Sequence, residues 1–439
     1  MSSADWPEET EEGEGAGPPR VASLPFFYTA PIAMAIAGGL LLNWGALALS
    51  TPWSSLTLAL THVMTLGFLT MTGLGGFYAL AARSGLAAIA KPRRTHFVYY
   101  SLLVGVVGLV WGTASAQSTP VFIAIGAMGL AVSVFVFEAR RVVRGTSGAN
   151  RGVRALRLAL WGFGLATFLG VWLAHGHGGM RFPGLRSLWM QVHLCIALLG
   201  WLGGMLVALS GVALPTNFGA PGLSARSLDT ILGGAAAGIF PPFLLLLFGY
   251  FFVPSPDQGW IEPWAMGLLA PAALAIWLVH PVLGLIALAG GRRGPGLRHW
   301  QLGLALAPLV LGVGVAAWAQ QDVRLGMLFG WLAIFGWAGT LFSGLLLGTL
   351  PGLLSPLSSE GSVRLTRAAQ VGLLGHASAL VAGAVGIVGQ SDAWCRVAGG
   401  LVLADGLWLL VVLVWAMMDS RRSPSSPSSP SSPSLPVMP

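Results

Sequence analysis

Twelve apolar runs of about 20 residues constrain the fold of this 439-residue chain more than any other feature. A run of about 20 apolar residues can cross the hydrocarbon core of a bilayer as one helix. Only 9% of the residues are charged, whereas soluble domains carry roughly 25%. The sequence therefore predicts an all-α, polytopic membrane protein. The predicted spans are 25–49, 54–81, 97–115, 119–138, 155–174, 187–213, 228–253, 263–289, 300–319, 325–350, 368–390 and 394–418.

Arginine and lysine are distributed unevenly between the loops on the two sides of these spans. If the N-terminus is cytoplasmic, 19 of the 23 basic residues lie on the cytoplasmic side, and only four lie opposite: Arg181, Arg186, Arg324 and Arg396. The positive-inside rule then predicts that both termini are cytoplasmic. The same loops explain the basic pI of about 10.5, so the expected partner is the lipid bilayer and no nucleic acid.

The two ends of the chain differ in composition from the membrane region. Residues 1–24 are acidic and show no signal peptide, which would begin with positive charge. Residues 419–439 form a low-complexity tail rich in Ser and Pro. We expect both ends to be disordered and cytoplasmic, on either side of one transmembrane domain that covers residues 25–418.

A pair made of glycine and an aromatic residue recurs in small-residue helices at an interval of four spans. The pairs in the second, sixth and tenth spans are Gly67-Phe68, Gly200-Trp201 and Gly330-Trp331. Five residues before these glycines stand His62, Cys195 and Leu325. Regular spacing of similar segments predicts a fold built from repeated helical units.

Several of the eight histidines lie within spans, where an ionisable side chain is costly and usually faces the protein interior. At helical spacing, His62, His193 and His376 each share a face with small residues. The small residues on each of these faces form a groove that could admit a flat macrocycle beside the imidazole. The alternative is close helix packing with the histidine hydrogen-bonded across the interface. His280, before Pro281, is expected at a kink or a packing contact.

The remaining histidines are expected near the membrane surfaces. His96 and His299 lie beside basic residues and are predicted to be interfacial. His175 and His177 end the fifth span, close in sequence to His193, Met190 and Cys195. His, Met and Cys side chains suit copper or haem iron, so His175, His177 and His193 form a predicted metal site near the outer face. A solvated loop is the alternative for the His-Gly-His segment.

Three segments carry a resemblance to a known family: HVMTLGFLTMTGLGGFYAL, HLCIALLGWLGGMLVALSGVALP and LFGWLAIFGWAGTLFSGLLLGTLP. They resemble the haem-copper oxidase subunit I superfamily, and more closely a divergent bacterial branch of subunit-I-like membrane proteins. The resemblance implies twelve helices in three four-helix arcs. It also implies that His62 occupies the position of a low-spin haem ligand, and that His193 lies in a span that supplies a copper ligand.

The chain departs from that family at its metal ligands. The seventh span has no histidine where the oxidases place a pair for copper, and the tenth has none where they place two haem ligands. The resemblance therefore does not imply oxygen or NO reduction. It implies haem b or copper, with His62, His193 and His376 as cofactor-binding residues, and a role in redox chemistry, sensing or support of a respiratory complex with other membrane subunits. The alternatives are a polytopic transporter and a cofactor-free assembly protein.

Overall fold

The structure is a computed structural model, and it describes residues 21–83, 92–145, 151–177, 186–254, 259–292, 294–354 and 359–422. All its regular elements over these ranges are helical, and twelve helices are long and apolar enough to span a membrane. Spans 1 to 12 are Leu24–Leu49, Ser55–Ala79, Pro92–Ala114, Ser118–Arg141, Gly152–Gly176, Arg186–Phe218, Ala225–Phe252, Ile261–Ala289, Leu297–Gln320, Val323–Thr349, Glu360–Val388 and Asp392–Asp419. The predicted all-α, twelve-span architecture is confirmed.

The predicted span boundaries agree within a few residues, except at the beginning of span 11. That helix begins at Ser359, not at 368, because Arg364 and Arg367 lie in its first turns, which extend beyond the apolar run. The expected disordered ends fall mostly on residues 1–20 and 423–439, which lie outside the described residues.

Spans 2, 6 and 10 form the centre of the bundle. In the most apolar 18-residue stretch of each, 72%, 78% and 72% of the residues are buried, whereas the share in the other nine spans is between 22% and 50%. The three meet at Gly73 of span 2, where an added Cβ would lie 3.5 Å from both Met205 of span 6 and Phe342 of span 10. The other spans surround them, and span 12 packs against span 1. The three spans that carry the recurring glycine-aromatic pair are therefore the three central helices of the fold.

Small residues allow neighbouring helices to approach backbone to backbone. An added Cβ at Gly162 of span 5 would lie 2.3 Å from the carbonyl carbon of Gly200 in span 6, and one at Gly204 would lie 2.9 Å from the nitrogen of Ala159. Such contacts are possible only because these glycines have no side chain. Small residues at helix interfaces are the usual means of close helix packing in membranes.

Each central span contains an eight-residue π-helical segment: Val63–Thr70, Ile196–Gly203 and Leu332–Gly339. The glycine-aromatic pair occupies the fifth and sixth positions of each segment, and in span 10 that pair is Gly336-Trp337. The predicted pair Gly330-Trp331 is therefore one of two Gly-Trp pairs in this span and is out of register. The residue equivalent to His62 in span 10 is Trp331, not Leu325.

Candidate functional site

A cavity of about 280 Å³ lies among spans 1 to 6, span 10 and span 12. It extends from Trp53 and Arg186, on the side of the bundle opposite the termini, to Thr70 and Trp201. Since Trp201 follows Arg186 by fifteen residues, the cavity reaches about 20 Å into the bundle at 1.5 Å per helical residue. Most of its lining is apolar, as is usual for ligand pockets.

His62 and His193 line this cavity at the same depth. His62 is the eighth residue of the helix Ser55–His62, and His193 is the eighth residue of the helix Arg186–Cys195. Both helices begin on the side opposite the termini. The structure therefore brings together two of the three predicted cofactor-binding histidines.

Both rings are oriented by a backbone carbonyl oxygen. Nδ1 of His62 lies 2.7 Å from the oxygen of Leu58, and Nδ1 of His193 lies 2.9 Å from the oxygen of Ala166. A carbonyl oxygen only accepts, so Nδ1 donates in each ring. A neutral ring then has its lone pair on Nε2, and no described residue bonds Nε2 of either histidine. This is how proteins commonly prepare an imidazole for metal ligation.

Span 5 positions His193 from across a helix interface. Besides the Ala166 carbonyl, this span contributes Gly170, where an added Cβ would lie 3.1 Å from Cε1 of His193. Any larger residue at 170 would push against the ring. The sequence gives no signal for this role, because it depends on which face of span 5 meets span 6.

The helical faces predicted for these histidines are altered by the π-helical segments that follow them. In a π-helix the hydrogen bonds run over five residues, so side chains beyond it lose the 3.6-residue phase. At regular helical spacing, Thr65, Gly73 and Gly76 share the face of His62. Thr65 lines the cavity, together with Thr61, Leu66 and Thr70, whereas Gly73 and Gly76 do not. In span 6, Gly200 and Gly204 face span 5. Gly200 and Gly204 are therefore occupied by helix packing, whereas Ala197, one turn after His193, lines the cavity.

Polar contacts define the two ends of the cavity. At its mouth, the guanidinium carbon of Arg186 lies 5.5 Å from the centre of the Trp53 ring, which places a positive charge at the opening. At its inner end, Nε1 of Trp201 donates to Oγ1 of Thr70 over 2.9 Å, and the Trp201 ring stacks on Phe163 at 4.1 Å. The cavity thus has a cationic mouth and a closed aromatic floor.

His376, the third predicted cofactor ligand, lies elsewhere. It is 1% exposed, with Nδ1 2.7 Å from Oδ2 of Asp405 and Nε2 2.9 Å from Oγ1 of Thr340. Its ring stacks on Phe335, with ring centres 4.2 Å apart, and Phe335 itself lines the cavity. Both ring nitrogens are engaged, so in this arrangement His376 has no lone pair to offer a metal ion.

The predicted metal residues His175, His177 and His193 are not shown to converge. Nδ1 of His175 donates to the oxygen of Val171, and its ring packs edge-on against Phe122. The side chain of His177 lies outside the described part of the structure, as does Met180. Over the described ranges, no group of three or more His, Cys, Asp or Glu side chains could hold a metal ion. The three-histidine site stays a prediction.

Two other histidines have defined environments. His280 is buried, with Nε2 2.9 Å from Oγ of Ser210 in span 6, which agrees with the expected packing role. His299 is the third residue of span 9 and is only 3% exposed, so it is buried among helices near that end of the bundle. It lines a small cavity together with Ser343 of span 10 and Asp405 of span 12. Its location at the membrane interface stays a prediction.

The sequence matches no protein-family model and no curated protein.

Proposed function

We propose that the cavity binds one b-type haem through His62 and His193, near the outer face of a bacterial inner membrane. One observation carries the proposal: two histidines at equal depth line one apolar cavity, and both have Nδ1 bonded to a carbonyl oxygen. Nε2 of an imidazole oriented in this way is a common ligand of haem iron.

The residues of the cavity fit this group in three respects. The donors are nitrogen ligands, the lining is mostly apolar, and Arg186 at the mouth can pair with a carboxylate at the edge of the ligand. Haem iron would supply one-electron redox chemistry and, where a ligand position is open, binding of a small gas. His62 and His193 would hold the haem, and the apolar lining of the cavity would exclude water from it.

The proposed role is electron transfer, redox or gas sensing, or support of a respiratory complex, and not oxygen or NO reduction. The histidine pair and the tenth-span ligands that the family uses for that reduction are absent from the sequence. A copper ion held by the same two histidines and Met190 is the second occupant that the lining allows. Electron-transfer partners would be other membrane subunits.

Visible spectra of the purified protein from haem-replete cells, oxidised and reduced with dithionite, test the proposal together with metal analysis. We expect an intense Soret band and one iron per chain, with the band lost or strongly shifted in His62→Ala and in His193→Ala. His96→Ala is the matched control, because His96 does not line the cavity. Colourless wild-type protein free of iron and copper would refute the proposal and favour the transporter or assembly-protein alternatives.

A further inference from the structure

A buried pair of ionisable side chains, Asp405 and His376, joins span 12 to span 11 at the middle of the bundle. Their side chains are 8% and 1% exposed, and Nδ1 lies 2.7 Å from Oδ2. An ionisable residue at such depth is usually functional, because desolvating it is costly. The haem site proposed above uses neither residue.

The hydrogen bonds around His376 fix the position of one proton. Thr340 donates its hydroxyl hydrogen to the carbonyl oxygen of Gly336, so its Oγ1 accepts from Nε2 of His376. The oxygen of Phe335, 3.2 Å from Nε2, can also only accept. Nε2 therefore carries a hydrogen whatever the charge of the ring.

A second proton must lie between His376 and Asp405. Without it, an unprotonated Nδ1 would face a carboxylate oxygen at 2.7 Å, and neither could donate. With it, the pair is either imidazolium with carboxylate or neutral imidazole with carboxylic acid, and both forms have zero net charge. Loss of this proton leaves one uncompensated negative charge in the bundle, and its return restores the bond.

A small cavity lies against Asp405 of this pair. It has a volume of about 10 Å³, is lined by Asp405, Ser343 and His299, and so has room for one water molecule. Oγ of Ser343 is buried and has no hydrogen-bond partner among the described residues. Three polar side chains are the number that a buried water typically contacts. His299 is the third residue of span 9, which begins on the side of the termini.

We propose that Asp405 and His376 form a proton-binding site that exchanges with the side of the termini through a water held by His299, Ser343 and Asp405. A proton enters by way of His299 and the water to Asp405, which then shares it with Nδ1 of His376. The titratable side chains along this route are His299, Asp405 and His376. The route ends at Phe335, whose ring separates His376 from the large cavity.

Infrared difference spectroscopy on the full-length protein in lipid nanodiscs tests the proposal, with steps of pH and a change from H₂O to D₂O. We expect a carboxyl band that exchanges with D₂O and is absent from Asp405→Asn. Ser343→Val should fill the small cavity and slow the exchange about tenfold, which corresponds to a barrier higher by about 1.4 kcal/mol. Ser210→Val is the matched control, because Ser210 is equally buried but bonds His280 elsewhere.

Two results would overturn the proposal. One is an infrared spectrum in which no exchanging band depends on Asp405. The other is an exchange rate that is the same in Ser343→Val, Ser210→Val and wild type. If Asp405→Asn does not fold, the comparison of the two serine variants still decides whether exchange passes through the small cavity. Neither readout requires haem, so failure here is distinct from failure of the haem proposal.

Discussion

Replacement of Gly162 by alanine should separate spans 5 and 6 and displace His193. The added Cβ would lie 2.3 Å from the carbonyl carbon of Gly200 and 2.6 Å from the nitrogen of Trp201. The nearer contact is 1.1 Å short of the 3.4 Å at which ordinary van der Waals contact begins. Both opposing atoms are backbone, so they cannot rotate away and the whole helix must shift.

Gly164→Ala is the matched control, because an added Cβ at this position, two residues further along span 5, meets nothing within 4 Å. Each variant gains about 1 kcal/mol of helix propensity from the change to alanine. Overpacking of a core typically costs about 1–3 kcal/mol. Because the contact at Gly162 is with backbone, we expect a value near 3 kcal/mol for the difference between the two variants.

Reversible unfolding of the two variants and wild type in mixed detergent micelles measures this difference. We expect Gly164→Ala to be at least as stable as wild type and Gly162→Ala to have a lower free energy of unfolding than both. The shift of span 6 should also weaken the bond from His193 to the Ala166 carbonyl and reduce any haem content. Equal stability of the two alanine variants would refute the predicted backbone contact.

Two further substitutions test hydrogen bonds of the central spans. Trp201→Phe removes the donor to Thr70 and should lower the free energy of unfolding by about 1 kcal/mol, in addition to the loss from the smaller buried apolar area. Trp161→Phe, on the exposed face of span 5, is the control and should change the free energy little. Thermal denaturation measures both. Ser210→Ala leaves Nε2 of buried His280 without its partner and should cost about 1–3 kcal/mol in the same assay. Unchanged melting of either variant would show that its bond does not form.

The twelve spans could be predicted from the sequence because length and apolarity alone decide which segments cross a membrane. The glycine-aromatic pairs that spans 2, 6 and 10 share indicated that these three spans have equivalent positions in the fold. Their register in span 10 could not be predicted, since Gly330-Trp331 and Gly336-Trp337 both fit the pattern and only the π-helical segment Leu332–Gly339 distinguishes them.

The candidate site was predicted in part. His62 and His193 stood out as histidines in apolar spans, and their equal depth follows from counting residues. The residues that face the cavity followed only close to each histidine, where Thr65 and Ala197 line it. Further along, the π-helical segments break the 3.6-residue period on which such counting depends. The roles of Ala166 and Gly170 depend on contacts between spans, which have no signature in sequence.

His376 shows where reasoning from one helix fails. Its own span suggests a histidine above a groove of small residues. In the fold Gly383 instead faces Trp331, Gly372 faces Trp408, and the histidine bonds residues of spans 10 and 12. The partners of a buried ionisable side chain come from other helices, so a single helical face does not reveal them.

Electron paramagnetic resonance of the oxidised protein, read beside the visible spectrum, tests whether His62 and His193 ligate one haem iron. We expect a low-spin signal with two imidazole ligands in the wild type, and a high-spin signal or loss of haem in both His62→Ala and His193→Ala. A low-spin signal that persists unchanged in either variant would contradict shared ligation. Absence of haem and copper from the wild-type protein would contradict the cofactor site as a whole.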